Sequence, residues 1–383
     1  MYRLTEEQAA VVTRLRNIAD QHIAPYAQDV DENSRFPKEA FDALGKEGFL
    51  GLTVSQEFGG MGEGIRTAAA VVDEIAQRCA STAMCYIMHL CAISVYSARA
   101  DVAEKQLREA AEGNHVTTLA WSEKGSRSHF WAPVSQAVAN NGHLRISAQK
   151  SWVTSAGYAD GYVVSTKSPM AQSATDSMLF LVLKEDKGIE VSGSWNALGM
   201  RGNASAPMSL DNVELTPDRA FTEEGKGMDM MLGVVLPWFQ IGNAATSVGI
   251  CEAATQATQR HLTTAKFDHL GSTLADLPNL RARLAQMRIE TDRARAHLVS
   301  VLDAVENPSP ATMLMVLEAK AAAGETALSV TDIGMRACGG AAFSKHLPVE
   351  RCFRDARASV VMAPTADVIH DFIGKALCGI PLF

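Results

Sequence analysis

The hydrophobic pattern of this chain changes period twice, and that change limits the possible folds more than any other feature. Up to about residue 115 the apolar residues recur at helical spacing. Val11, Leu15 and Ile18 share one face behind a capping box of Thr5 and Gln8, and Pro25 ends the run. "PKEAFDALGKEG" and "IRTAAAVVDEIAQRC" continue the helical pattern. The turn between them, "EFGGMGEG", lacks the GK[ST] ending and the preceding strand of a phosphate loop, so it reads as an interhelix loop. From Val116 short alternating segments take over, among them "VTTLAW", "HLRISAQKSWV", "GYVVST", "MLFLVL" and "APMSLDNVEL", with Asn141-Gly142 placed as a tight hairpin turn. Helical spacing returns from Glu223 and persists to the end. The expected class is α+β: a helical domain (1–115), a β domain (116–220) and a second helical domain (221–383).

Composition narrows the function classes. With 383 residues, 47% hydrophobic and 20% charged, the chain can bury two or three cores. The formal net charge is −8 and the basic residues are scattered, which argues against a nucleic-acid footprint. Seven cysteines without a CxxC pair or a nearby histidine cluster read as reduced, mostly buried thiols, with no metal site. The start "MYRLTEEQ" shows no secretory pattern, and the apolar run "MMLGVVLPWF" is about half a bilayer span. A cytoplasmic protein without membrane association is expected.

Five stretches, in order, resemble landmarks of the acyl-CoA dehydrogenase family, flavoproteins that desaturate acyl thioesters. They are "IAPYAQDVDENSRFPKEAFDALGKEGFLGLTVSQEFGGMG", "AWSEKGSRS", "KSWVTSAGYADGYVV", "ALGMRGNASAPMSLDNVEL" and "GMRACGGAAFSKHLPVERCFRDAR". The resemblance implies a β-barrel or sandwich as the middle domain, a four-helix bundle as the C-terminal domain, and FAD as cofactor. It places the Thr154 hydroxyl near flavin N5, the Trp152 indole over the ring, Ser122 at the pyrimidine edge and Ser128 at the pyrophosphate. On the residues alone, Trp152 and Thr154 also fit ordinary strand positions. Gly339 and Gly340 correspond to the pair that approaches the dinucleotide of a neighbouring subunit, and equally suit a helix C-cap. Thr365 and Asp367 join the cofactor set by position. They also have a local role as N-cap and first-turn acid of the helix "ADVIHDFIGKALC", on which Val368, Phe372 and Ala376 are expected to form a buried stripe.

Three departures from the family pattern bear on chemistry. Where the family has Y-E-G-T, whose glutamate removes the α-proton as hydride leaves for flavin N5, this chain has Met362-Ala363-Pro364-Thr365. At the alternative carboxylate position, on the first long helix after the β domain, Phe239-Gln240 replace Glu-Arg. The R-x-x-F-G element is replaced by "HLTTAKFDHLG", where Lys266 reads as solvated.

His89, Phe239, Gln240, Met362 and Ala363 are assigned to the substrate pocket, and His89, Glu123, Asp367 and His370 are the candidate replacement bases. Three functions stay open. The first is an FAD-dependent dehydrogenase acting on an acyl-CoA-type thioester with its base elsewhere. The others are a flavin-dependent monooxygenase or oxidase on the same fold, and a non-catalytic flavoprotein. An electron-transfer flavoprotein or O2 is the expected acceptor. A homotetramer or homodimer is the expected assembly, favoured by the apolar tail "LCGIPLF".

Overall fold

The computed structural model describes residues 2–127 and 129–382, so Ser128 lies outside the described residues. The N-terminal part contains α1 (Glu6–His22), α2 (Ala27–Glu32), α3 (Lys38–Lys46), α4 (Ile65–Ala76), α5 (Ala80–Ala98) and α6 (Ala100–Ala111). At the start of α1 the Thr5 hydroxyl accepts from Gln8 N at 3.2 Å and the Gln8 side chain accepts from Thr5 N at 3.0 Å, satisfying two of the helix's free donors.

The middle part holds β1 (Thr117–Ala120), β2 (Ala137–Asn140), β3 (His143–Val153), β4 (Gly161–Lys167), β5 (Ser177–Leu183), β6 (Ile189–Val191) and β7 (Ala206–Leu215). They form two sheets, ordered β1-β4-β5 and β2-β3-β7-β6. Asn141 and Gly142 both take positive φ, 48° and 83°, and close the β2–β3 hairpin. Ile146, Tyr162, Val164, Phe180, Met208 and Val213 belong to the core that the sheets share. The register of β3 against β7 slips between Lys150 and Val153, and within that bulge Trp152 sits at φ 53°. The extra residue re-aims the side chain that strand alternation alone would have placed differently.

The C-terminal part comprises α7 (Gly227–Met230), a π-helical turn (Met231–Val235), α8 (Leu236–Thr264), a short hairpin of β8 (Lys266–Phe267) and β9 (Ser272–Thr273), α9 (Pro278–Glu306), α10 (Thr312–Cys338), α11 (Gly340–Phe343), α12 (Val349–Val361) and α13 (Ala366–Cys378). Helices α8, α9, α10 and α12 pack as a bundle, and α4 and α5 lie against α8. A single continuous apolar core therefore joins the N-terminal and C-terminal helices, with the sheets' own core beside it. Buried charge fastens the same seam: Arg295 of α9 pairs with Asp73 of α4 at 3.2 Å and with Glu252 of α8 at 3.0 Å.

Two helices, Ala80–Ala98 and Gly227–Thr264, are long and apolar enough to cross a bilayer, but 83% and 78% of their apolar windows are buried inside the protein. They are the helices of the shared core. The stripe expected on α13 differs from what forms. Val368 and Phe372 are half-buried and pack against the main core, Ile369 is buried and packs with Leu317 and Ala321 of α10 beside Ile373, and Ala376 is exposed. The contact face is therefore wider than the predicted stripe at its start, taking in Ile369 and Ile373, and ends before Ala376.

Candidate active site

A cavity of about 690 Å³ opens where the β domain meets both helical blocks, within the size range of small-molecule and cofactor sites. Ser122, Trp152, Thr154 and Ser205 line it from the sheets, Met84 and Met88 from α5, and Met231, Val235 and Phe239 from the π-turn and α8. The far wall is the end of α12 and the turn after it, Val361, Met362 and Ala363, where the Ala363–Pro364 peptide is cis. The π-turn widens the helix just before α8, and both Met231 and Val235 face the cavity from it.

The polar atoms here are few and mostly uncommitted. Trp121 lines the cavity with a buried indole N–H that has no partner among the described residues, and Asn203 Oδ1 is likewise buried and unpaired. The Thr154 hydroxyl lies 3.1 Å from that of Ser205. Trp152 is 60% exposed and lines the cavity, so its indole is open to it. A flat ring with polar edges suits this set: it covers the exposed indole and supplies the bonds that a buried donor and acceptor otherwise lack. The residues present therefore fit a flavin.

No lining side chain is an acid among the described residues. Three arginines reach the wall. Arg354 is neutralised by Asp31 at 2.6 Å and Glu350 at 2.8 Å. Arg357 rests over the Phe353 ring at 3.9 Å and leaves Nη1 unpaired among the described residues; Arg127 is exposed.

Each candidate base lies outside this cavity. His89 is fully buried on α5, its Nε2 at 2.8 Å from the Leu50 carbonyl and its Nδ1 accepting from Thr117 N at 3.2 Å. Burial pulls its pKa down to about 4. Assigning His89 to the substrate pocket is corrected here, since both ring nitrogens are consumed by backbone. Glu123 is locked in an ion pair with Lys150. Asp367 is exposed on α13, and His370 is exposed and pairs with Glu325 at 3.2 Å.

Gln240 also leaves the pocket set. One helical step beyond Phe239, it points into the bundle, fully buried with neither amide atom partnered among the described residues. The Thr365 hydroxyl accepts from Val368 N at 3.5 Å as the cap of α13, and neither Thr365 nor Asp367 lines the cavity of this chain. Gly339 and Gly340 are exposed, with open space around both, and Gly339 ends α10 at φ 56°. Lys266 is exposed in the β8–β9 hairpin. Phe239, Met362, Ala363, Ser122, Trp152 and Thr154 do come together in one cavity.

Sequence reasoning missed Trp121, Asn203 and Arg357. Each stands inside a quoted landmark, but without the cavity there was no signal to single them out.

Comparisons with known proteins identify the family. Three domain models of one family match in order: "Acyl-CoA dehydrogenase, N-terminal domain" over residues 5–114, the middle domain over 118–213 and the C-terminal domain over 225–378. The chain belongs to the acyl-CoA dehydrogenase family. This is a family of FAD-dependent oxidoreductases acting on the CH–CH bond of acyl thioesters.

Among its relatives, cyclohex-1-ene-1-carbonyl-CoA dehydrogenase of Syntrophus aciditrophicus is 29% identical over 98% of this chain and 91% of its own length. The short-chain-specific acyl-CoA dehydrogenase of Clostridium acetobutylicum is 26% identical over 96% of this chain and 97% of its own. The butyryl-CoA dehydrogenase structure of Megasphaera elsdenii superposes with a TM-score of 0.91 at 23% identity, covering 98% of this chain and 99% of that one, a likeness of fold.

Proposed function

We propose that this family member binds FAD in the 690 Å³ cavity and oxidises an apolar acyl-CoA-type thioester there, with no carboxylate in the cavity wall to take the α-proton. The observation that carries this reading is the meeting of an exposed Trp152 indole and an unpaired, buried Trp121 N–H in one apolar cavity opposite Ala363. When bound, the flavin supplies a two-electron acceptor for hydride. Trp152 would cover its face, and the hydroxyls of Thr154 and Ser122 and the Trp121 N–H, which line the same cavity, would supply donors to the negative charge of the reduced ring. Met84, Met88, Met231 and Phe239 keep the acyl group dry.

A positioned base is worth roughly 10²- to 10⁴-fold, so a wall of Met362 and Ala363 implies turnover lower by that order than in a site bearing a carboxylate. An electron-transfer flavoprotein, or O2, completes the cycle in this proposal. Association of copies through the last helices is supported by Phe343, Leu377 and Ile380, which are 85%, 73% and 53% exposed. The chemistry of the cavity and its buried long helices suit a cytoplasmic enzyme.

The test is direct. The purified protein should carry a flavin absorption spectrum, and a panel of acyl-CoAs added anaerobically should bleach it. A flavin that no thioester bleaches sinks the proposed reaction, and a protein that takes up no flavin sinks the site.

A further inference from the structure

Against the wall that lacks a carboxylate lies a lysine that no acid neutralises among the described residues. Lys320 of α10 is 1% exposed. Its Nζ donates to the carbonyl of Met362 at 2.9 Å and to that of Pro364 at 2.6 Å, so the side chain bridges the two residues flanking Ala363. It also lies 5.8 Å from the centre of the Phe239 ring and does not itself line the cavity. No carboxylate pairs with it among the described residues, and burial alone pulls its pKa down to about 7. Two carbonyl acceptors, one at 2.6 Å, oppose that shift by favouring the ammonium.

A buried amine held this way is expensive, since an uncompensated charge in a low-dielectric interior has no counterion to recover its lost hydration. What it gains is control of one turn. Helix α12 ends at Val361 and α13 begins at Ala366, and between them the carbonyls of Met362 and Pro364 are both held by this side chain. Of the wall residues it touches or adjoins, Met362, Ala363 and Phe239 all face the cavity.

We propose that Lys320 is a positioning residue of this cavity: by bridging the carbonyls on either side of Ala363 it fixes the wall facing the bound flavin and places a positive charge against that wall. This rests on the flavin reading above. A positive charge with no nearby acid favours whatever anion forms on the other side of a thin apolar layer, because the interior screens it poorly. A flavin becomes more negative on reduction, so the same ammonium that holds the turn should make the bound flavin easier to reduce.

The experiment compares Lys320→Met, which keeps the length of the stem, with Lys320→Arg, which keeps the charge. In the flavin-free protein, the amides of Met362 and Ile369, which donate to the Ala358 and Thr365 carbonyls on either side of the turn, should exchange hydrogen at least about tenfold faster in Lys320→Met and at near the parent rate in Lys320→Arg. In the flavin-loaded protein, Lys320→Met should lower the two-electron reduction potential by about 30 mV or more, equivalent to a tenfold fall in the reduced-to-oxidised ratio. Lys320→Arg should recover most of that shift. Equal potentials in Lys320→Met and the parent overturn the proposal. If Lys320→Met yields no soluble protein, Lys320→Gln replaces it in the same comparison, with equal potentials in the Gln and Arg variants overturning it. Failure of the parent protein to bind flavin would strike the flavin site itself, which separates that outcome from a failure of the lysine's role.

Discussion

Lys150 Nζ stands 2.7 Å from Glu123 Oε1 inside the β domain, with side-chain exposures of 0% and 5%. The same carboxylate accepts from Val134 N at 2.6 Å and Ser135 N at 2.9 Å and from the Ser135 hydroxyl, while Lys150 also donates to the Ser165 carbonyl at 2.5 Å. Burial raises the carboxyl's pKa and the lysine and donors lower it; the lowering wins, so Glu123 stays ionised. It is a structural acid that ties the "AWSEKGSRS" segment to β3. Glu123→Ala leaves the ammonium buried and unpaired, and a loss of about 3–5 kcal/mol is expected in urea unfolding. A loss under about 1 kcal/mol would show that the pair carries little.

Acid should weaken the fold through two buried imidazoles. Burial holds the pKa of both His89 and His115 down to about 4, against about 6.5 in an unfolded chain. As pH falls from about 6.5 to about 4 the unfolded state takes up protons that the folded state refuses, so stability drops through that window and levels off below it. Each imidazole contributes at most about 3 kcal/mol. His89→Gln, whose amide can reproduce one donor and one acceptor, should show a shallower loss between pH 7 and 4.5 than the parent. Parallel profiles would rule out His89 as a source.

Trp152 separates function from stability. Its φ of 53° is costly for a residue with a Cβ, by about 1–3 kcal/mol, and its indole is mostly exposed. Trp152→Gly is expected to leave the melting temperature of the flavin-free protein unchanged or raised, because relief of strain offsets glycine's entropy. Flavin affinity should fall at least about tenfold with the lost stacking surface. Titration of flavin fluorescence on both proteins checks this, and equal affinities would remove Trp152 from the site.

Ala363→Glu restores a carboxylate to the cavity wall in the turn held by Lys320. If the cavity is a thioester site, thioester-dependent flavin reduction should rise by about 10²-fold or more in anaerobic stopped flow. An unchanged rate in a properly folded, flavin-loaded variant would count against a thioester in this cavity.

What could be read from the sequence was local. The capping of α1 by Thr5, the Asn141-Gly142 hairpin, the helix–sheet–helix order and the clustering of Trp152 and Thr154 follow from spacing, turn chemistry and landmark segments. The loss of a carboxylate at Ala363 and Phe239 was visible for the same reason.

Other features depended on partners far away in the chain. His89 became a backbone ligand because Leu50 and Thr117 arrive from either side, and Gln240 turned into the bundle one helical step from Phe239, which faces the cavity. Lys320 reads in sequence as an ordinary helix lysine; only the packing of α10 beneath the turn at residues 362–365 takes it out of water. Spacing along a chain specifies which face a side chain occupies, whereas its solvent, charge partners and pKa are set by what that face meets. Those meetings joined two helical regions into one core and set a buried amine on the two carbonyls that flank Ala363.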